Sequence, residues 1–199
     1  MAAWVLAGGR SSRMGADKAL LELTSTPLIV RAIEVARAAV PDVKIVGDPL
    51  KFAAFGPVIN DVYRDRGPLG GIHAVLAGSQ AEWNLILAVD TPFVPARFLK
   101  YLLARAESSG ATVTVPSVAG YFQPLCGVYR KPFLPVADHA LSRGQNKIDQ
   151  LFREVTLCVV SEQELTANGF DASMFRNLNT PEEWQAAKLN FAGNSEAGG

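Results

Sequence analysis

The chain is expected to adopt a three-layer α/β fold, a mostly parallel sheet with helices on both faces. Short apolar runs alternate with amphipathic stretches along most of its length, which is the pattern of repeated strand–helix units. The first run, Ala3-Trp4-Val5-Leu6-Ala7, is continuous and not alternating, as suits a parallel strand buried on both faces. With 199 residues, 49% of them hydrophobic and 19% charged, the chain can bury a core and suits one domain at roughly 150 residues per domain.

The elements follow in order. After the strand at 3–7 a helix begins near Pro27, a good first helical residue. Its Ile29, Ile33, Ala36 and Val40 share one face, and Arg31, Glu34 and Arg37 share another. Strands at 43–46 and 57–60, a helix at 69–78, a strand at 85–89, a helix at 95–106 and a strand at 112–115 continue the alternation. The second half is less regular, with strands at 126–129 and 157–160 and helical segments near 132–141, 146–153 and 162–167. Thr180-Pro181-Glu182-Glu183 opens a last helix with an N-cap threonine, proline at the first position and a capping-box glutamate. Residues 1–191 read as one domain and the small, polar stretch 192–199 as a frayed tail.

Composition narrows the function. Lys and Arg number 19 against 19 Asp and Glu, so the net charge is zero. Proteins that track nucleic acid or an anionic membrane carry a basic excess, and neither partner is expected. The chain has no signal-like start and no apolar run near the roughly 18–20 residues that cross a bilayer, so a cytoplasmic location is expected. Cys126 and Cys158 stand far apart without metal-ligand spacing, and are expected to be reduced thiols.

The chemistry concentrates in Leu6-Ala7-Gly8-Gly9-Arg10-Ser11-Ser12-Arg13-Met14-Gly15-Ala16-Asp17-Lys18. A buried strand runs into a loop whose glycines let backbone N–H groups approach an anion, while serine hydroxyls add donors. Arg13 supplies a guanidinium fork and Lys18 a point charge. Open α/β sheets place ligands just past the carboxyl ends of their strands, so phosphate binding is expected here. Neither GxxxxGK[ST] nor GxGxxG is present after the first strand, which excludes a P-loop and a dehydrogenase fingerprint.

The loop resembles the nucleotide-binding signature of the molybdenum cofactor guanylyltransferases. The likeness continues through Gly67-Pro68-Leu69-Gly70-Gly71, Asp90-Thr91-Pro92-Phe93, Gln123-Pro124-Leu125 and Asn177-Leu178-Asn179-Thr180-Pro181-Glu182. It implies the Rossmann-like, glycosyltransferase-A-like fold of the nucleotidyltransferases. It also implies GTP bound by Leu6, Ala7, Gly8, Gly9, Ser11, Arg13, Lys18, Asp61, Gly70 and Asp90. From the residues alone, Asp61 is equally a turn residue, and the glycines at 67–71 serve a tight turn as readily as a close approach. The family usually carries an Asn just after the second strand, where this chain has Gly47 followed by Asp48.

Asp90 ends the strand at 85–89, so its carboxylate should emerge on the same sheet edge as the glycine loop. A carboxylate beside a triphosphate is the usual protein share of a Mg²⁺ site; the competing reading is an Asp that caps the helix after Pro95. The resemblance assigns Mg²⁺ to Asp90 and makes Arg13, Lys18 and Asp90 the catalytic set. Asn177 and Asn179 flank Leu178 and would face one side of an extended segment. They suit a pterin, or alternatively cap the last helix; in the similar enzymes they belong to the molybdopterin pocket. Arg143 and Lys147 are candidates for the pterin phosphate, or lie in a solvated loop, and His73 and His139 read as structural.

The expected reaction is transfer of GMP from GTP to the terminal phosphate of molybdopterin, or of its molybdenum form, with release of pyrophosphate. Transient contact with cofactor-delivery or molybdoenzyme-maturation proteins would accompany it. The rivals are a cytidylyl- or sugar-nucleotidyltransferase and a catalytically silent nucleotide-binding module.

Overall fold

The computed structural model describes residues 1–8, 17–60, 63, 66–178, 180 and 182–188. In chain order its elements are β1 (Ala2–Leu6), the hairpin strands β2 (Glu22–Leu23) and β3 (Thr26–Pro27), α1 (Leu28–Ala39), β4 (Val43–Val46) and α2 (Pro49–Phe52). Then come β5 (Val58–Ile59), α3 (Gly67–Gly78), β6 (Trp83–Ala88), α4 (Ala96–Ser109), β7 (Val113–Val118), β8 (Tyr121–Phe122) and β9 (Cys126–Arg130). α5 (Leu134–Ser142), α6 (Ile148–Leu151), β10 (Leu157–Val160) and α7 (Glu162–Ala167) follow, with a helix over 182–188.

The continuous apolar run of β1 is buried throughout, and its side chains divide between two cores. Ala3 and Val5 join the core that holds Leu28, Ile29 and Ile33 of α1 and Phe98, Leu99 and Leu102 of α4. Ala2, Trp4 and Leu6 join the core that holds Leu69, Ile72 and Leu76 of α3 and Ala137 and Leu141 of α5. That division is the three-layer arrangement expected of the chain. The main sheet has the order β10-β7-β9-β6-β1-β4-β5, with β8 added to β7. β1 is parallel to both β4 and β6, whereas β9 runs antiparallel between β6 and β7.

Several boundaries move from their expected places for local reasons. The hairpin over 22–27 ends at Pro27, so α1 begins at Leu28 with Pro27 as its N-cap. Its two turn residues, Thr24 and Ser25, have φ of 53° and 66°, the left-handed pair that a two-residue hairpin needs. Gly67 also has positive φ, 63°. It leads directly into α3, which places Pro68, Gly70 and Gly71 inside the first turns of the helix and not in a loop ahead of it. The last helix has the expected capping box. Thr180 Oγ1 accepts from Glu183 N–H at 3.2 Å, and Glu183 Oε2 accepts from Thr180 N–H at 3.0 Å.

Both cysteines are free, and burial pushes the Cys126 thiol up to about 12, which keeps it uncharged. No helix among the described residues is long and apolar enough to cross a membrane. The tail at 192–199 lies outside the described residues.

Candidate active site at the carboxyl edge of the sheet

Register builds this site. Leu6 stands opposite Val46 on one side and Ala88 on the other, so the chain leaves β1, β4 and β6 on a common edge. Ala7 N–H donates to Val46 O at 2.9 Å and Val89 N–H to Leu6 O at 3.1 Å. Ala7 is buried and Gly8 exposed, and no described residue lies within 4 Å of the place a Cβ would occupy on Gly8. Gly9, Ser11 and Arg13, with Asp61 and Asn179, lie outside the described residues.

Asp90 follows β6 on a turn in which Thr91 Oγ1 donates to Ala88 O at 2.9 Å and Arg31 Nε donates to Pro92 O at 3.2 Å. Its Oδ2 lies 2.9 Å from Lys18 Nζ, across 72 residues of sequence. The two side chains are 28% and 14% exposed. Pro95 is the N-cap of α4, without a side-chain cap bond. Asp90 therefore serves the edge of the sheet and does not cap α4. A carboxylate and an ammonium at that edge are suited to handling a polyphosphate.

The turn that carries Lys18 is itself held. Asp17 caps the single helical turn Lys18–Leu20 by accepting from Ala19 N–H at 3.2 Å on one oxygen. Its other oxygen lies 2.8 Å from Lys51 Nζ of α2, and this bond raises the Lys51 pKa. Lys51 escaped sequence reasoning because no local pattern points at a partner 34 residues away.

At Gly47 the packing leaves no room for a side chain. A Cβ built there would lie 2.8 Å from Cδ2 of Phe52 and 3.0 Å from its Cε2. Phe52 is only 1% exposed, so its ring fills the space a side chain at 47 would need. Gly47→Ala is expected to destabilise the protein by about 1–3 kcal/mol. Urea unfolding should show the lower midpoint with an unchanged slope. At Gly71 an added Cβ would meet only ordinary contact, 3.4 Å from Cδ1 of Leu6. Gly70 beside it is buried in the first turns of α3.

Asn177 is exposed next to Leu178, which is fully buried. Its neighbour Arg176 places its guanidinium carbon 4.9 Å from the ring centroid of Phe93. That cation–π contact joins the Asn177 segment to the turn carrying Asp90, a link with no signal in the linear sequence. His73, in α3, has an acid partner supplied by α5, with its Nε2 3.2 Å from Asp138 Oδ1, an oxygen that also accepts from Tyr63 Oη at 2.8 Å. His139 Nε2 faces Arg143 Nη1 at 3.4 Å. Arg143 and Lys147 are both exposed.

No group of three or more His, Cys, Asp or Glu suited to a metal is found among the described residues. Asp90 alone, one-quarter exposed at a strand end, still fits Mg²⁺. That ion is commonly held by one or two carboxylates, with phosphate oxygens and water completing the shell.

Residues 3–163 match the family described as the MobA-like NTP transferase domain. The chain belongs to this family. Like other MobA-like NTP transferases it is a nucleotidyltransferase, with the mostly parallel sheet and two-sided helices of that fold. It is 34% identical to a probable molybdenum cofactor guanylyltransferase of Pelotomaculum thermopropionicum, a match covering 98% of this chain and 94% of that one. It is 36% identical to the molybdenum cofactor guanylyltransferase of Vibrio atlanticus, over 90% of this chain and 92% of the relative. The crystal structure of molybdopterin-guanine dinucleotide biosynthesis protein A from Archaeoglobus fulgidus superposes with a TM-score of 0.85 at 24% identity. That match covers 97% of this chain and 100% of the other, and it shows the shared fold.

Proposed function

We propose that this MobA-like NTP transferase moves GMP from GTP to the terminal phosphate of molybdopterin, or of its molybdenum form, releasing pyrophosphate. The observation that carries the reading is the Lys18–Asp90 pair, with Asp90 at the carboxyl edge shared by β1 and β6. The relatives named as molybdenum cofactor guanylyltransferases, which match over nine-tenths or more of the chain, supply the acceptor and the base.

The acceptor phosphate is already an anion, so the site has little need of a general base. Its work is to hold two polyanions together and to neutralise charge as pyrophosphate leaves. In this reading Leu6, Ala7, Gly8, Gly9 and Ser11 line the nucleotide, with Asp61 and Gly70 near its nucleoside. Arg13 and Lys18 bind the triphosphate, and Lys18 orients it toward Asp90. Asp90 would hold Mg²⁺, which when bound supplies positive charge to the phosphates. Asn177 and Asn179 offer amides to the pterin, and Arg176 keeps their segment against the Asp90 turn. Ordering the reactants in this way is worth up to about 7–11 kcal/mol of barrier.

The test is nucleotide choice. With purified molybdopterin and Mg²⁺, pyrophosphate release should be fast with GTP and at least tenfold slower with CTP. A preference for CTP would make the chain a cytidylyltransferase. Mg²⁺-dependent GTP binding without release would make it a silent binding module.

A further inference from the structure

We infer that Lys51 is a positioning residue, which acts through Asp17 to set Lys18 at the triphosphate. The inference rests on the reading of Lys18 as a phosphate-binding side chain.

Asp17 bridges two elements. One oxygen accepts from Ala19 N–H and so fixes the turn that carries Lys18, while the other meets Lys51 Nζ at 2.8 Å. The backbone closes the same turn, with Leu20 N–H donating to Asp17 O at 3.0 Å and Leu21 N–H to Lys18 O at 3.2 Å. From this turn the Lys18 side chain reaches Asp90. Any shift of the Asp17 carboxylate therefore carries Lys18 with it.

The other end of the bridge is anchored. α2 is short, but Pro49 stands in its first turn and Asp48 caps it, accepting from Leu50 N–H at 3.0 Å. Phe52 sinks its ring into the space above Gly47. Next to this anchor Lys51 extends to Asp17. The absence of a side chain at Gly47 thus leaves the space in which the Phe52 ring seats α2, the helix that reaches the Lys18 turn.

The pair is half exposed on the lysine side and about three-quarters buried on the aspartate side. Exposed pairs of this kind contribute little to folding. Displacement of a substrate-positioning group by about 1 Å costs up to about a hundredfold in rate. The expected signature is therefore an effect on function with almost none on stability.

Four variants test the inference: Lys51→Met, Lys51→Arg, Asp17→Asn and the Lys51→Met/Asp17→Asn double. Lys51→Met should raise the KM for GTP by about three- to tenfold and lower kcat by a smaller factor, the pattern of a partly misplaced Lys18. Lys51→Arg should restore it, because a cation again faces the Asp17 carboxylate. The double variant should be no worse than Asp17→Asn alone, because contacting residues that act as one unit are not additive. Thermal midpoints should stay within about 2 °C of the parent, consistent with a weak exposed pair. An unchanged KM in Lys51→Met overturns the inference. Multiplying effects in the double variant overturn it too, since Lys51 would then act independently of Asp17. Calorimetry of GTP with Mg²⁺ reads the same effect without the acceptor. A parent chain that binds GTP but transfers nothing would defeat the guanylyltransferase reading, while the Lys51 comparison would still be decided by affinity.

Discussion

Asp90→Asn is expected to lower pyrophosphate release from GTP by about a hundred- to a thousandfold. The substitution keeps the size and shape of the side chain but removes its charge. Asp90 sits on a turn pinned by Thr91 and Arg31 and is about one-quarter exposed, so the fold should survive. Both the charge that complements Lys18 and the carboxylate proposed to hold Mg²⁺ would be lost. Removing one preorganised electrostatic partner from a reacting centre typically costs 10²–10³ in rate. The measurement is single-turnover release with saturating GTP and Mg²⁺, set beside the thermal midpoint. Release near the parent rate in a folded variant would remove Asp90 from the chemistry.

Lys18→Ala is expected to be nearly as damaging, with a different division between binding and turnover. Loss of the ammonium should raise the KM for GTP and also lower kcat, because charge accumulates on the phosphates as pyrophosphate departs. A fall of about a hundredfold in kcat/KM corresponds to about 2.7 kcal/mol. The folding cost should be small, because a partly exposed pair is worth about 0–1 kcal/mol. Lys18→Arg should recover part of the binding but not the full rate, since a planar fork does not reproduce a compact point charge. Steady-state kinetics with GTP as the varied substrate separates the two terms. If Lys18→Ala changed stability more than kcat/KM, its bond to Asp90 would be structural and the proposed role would fail.

Much of this architecture was legible before any coordinate. The run Ala3–Ala7 is apolar on successive residues because both faces of β1 are covered. Thr180 and Glu183 announce their helix because a capping box needs only residues three apart. The boundary of α1 was less legible, since a two-residue hairpin carrying Thr24 and Ser25, neither of them glycine, gives little warning in composition. The antiparallel course of β9 was also hidden. Cys126-Gly127-Val128-Tyr129 is equally apolar in either direction, and only its partners β6 and β7 orient it.

The sequence by itself determined the class of fold, the loop after Leu6 and the family resemblance, because these rest on local periodicity and on motifs of contiguous residues. Tertiary structure alone decided which charges meet. Lys18 finds Asp90 because β1 and β6 are adjacent in register, Lys51 finds Asp17 because Phe52 seats α2 over Gly47, and Arg176 finds Phe93 across the site. Each of these contacts spans more than thirty residues. No local propensity encodes such a distance; it follows only from the way the sheet and its two cores pack.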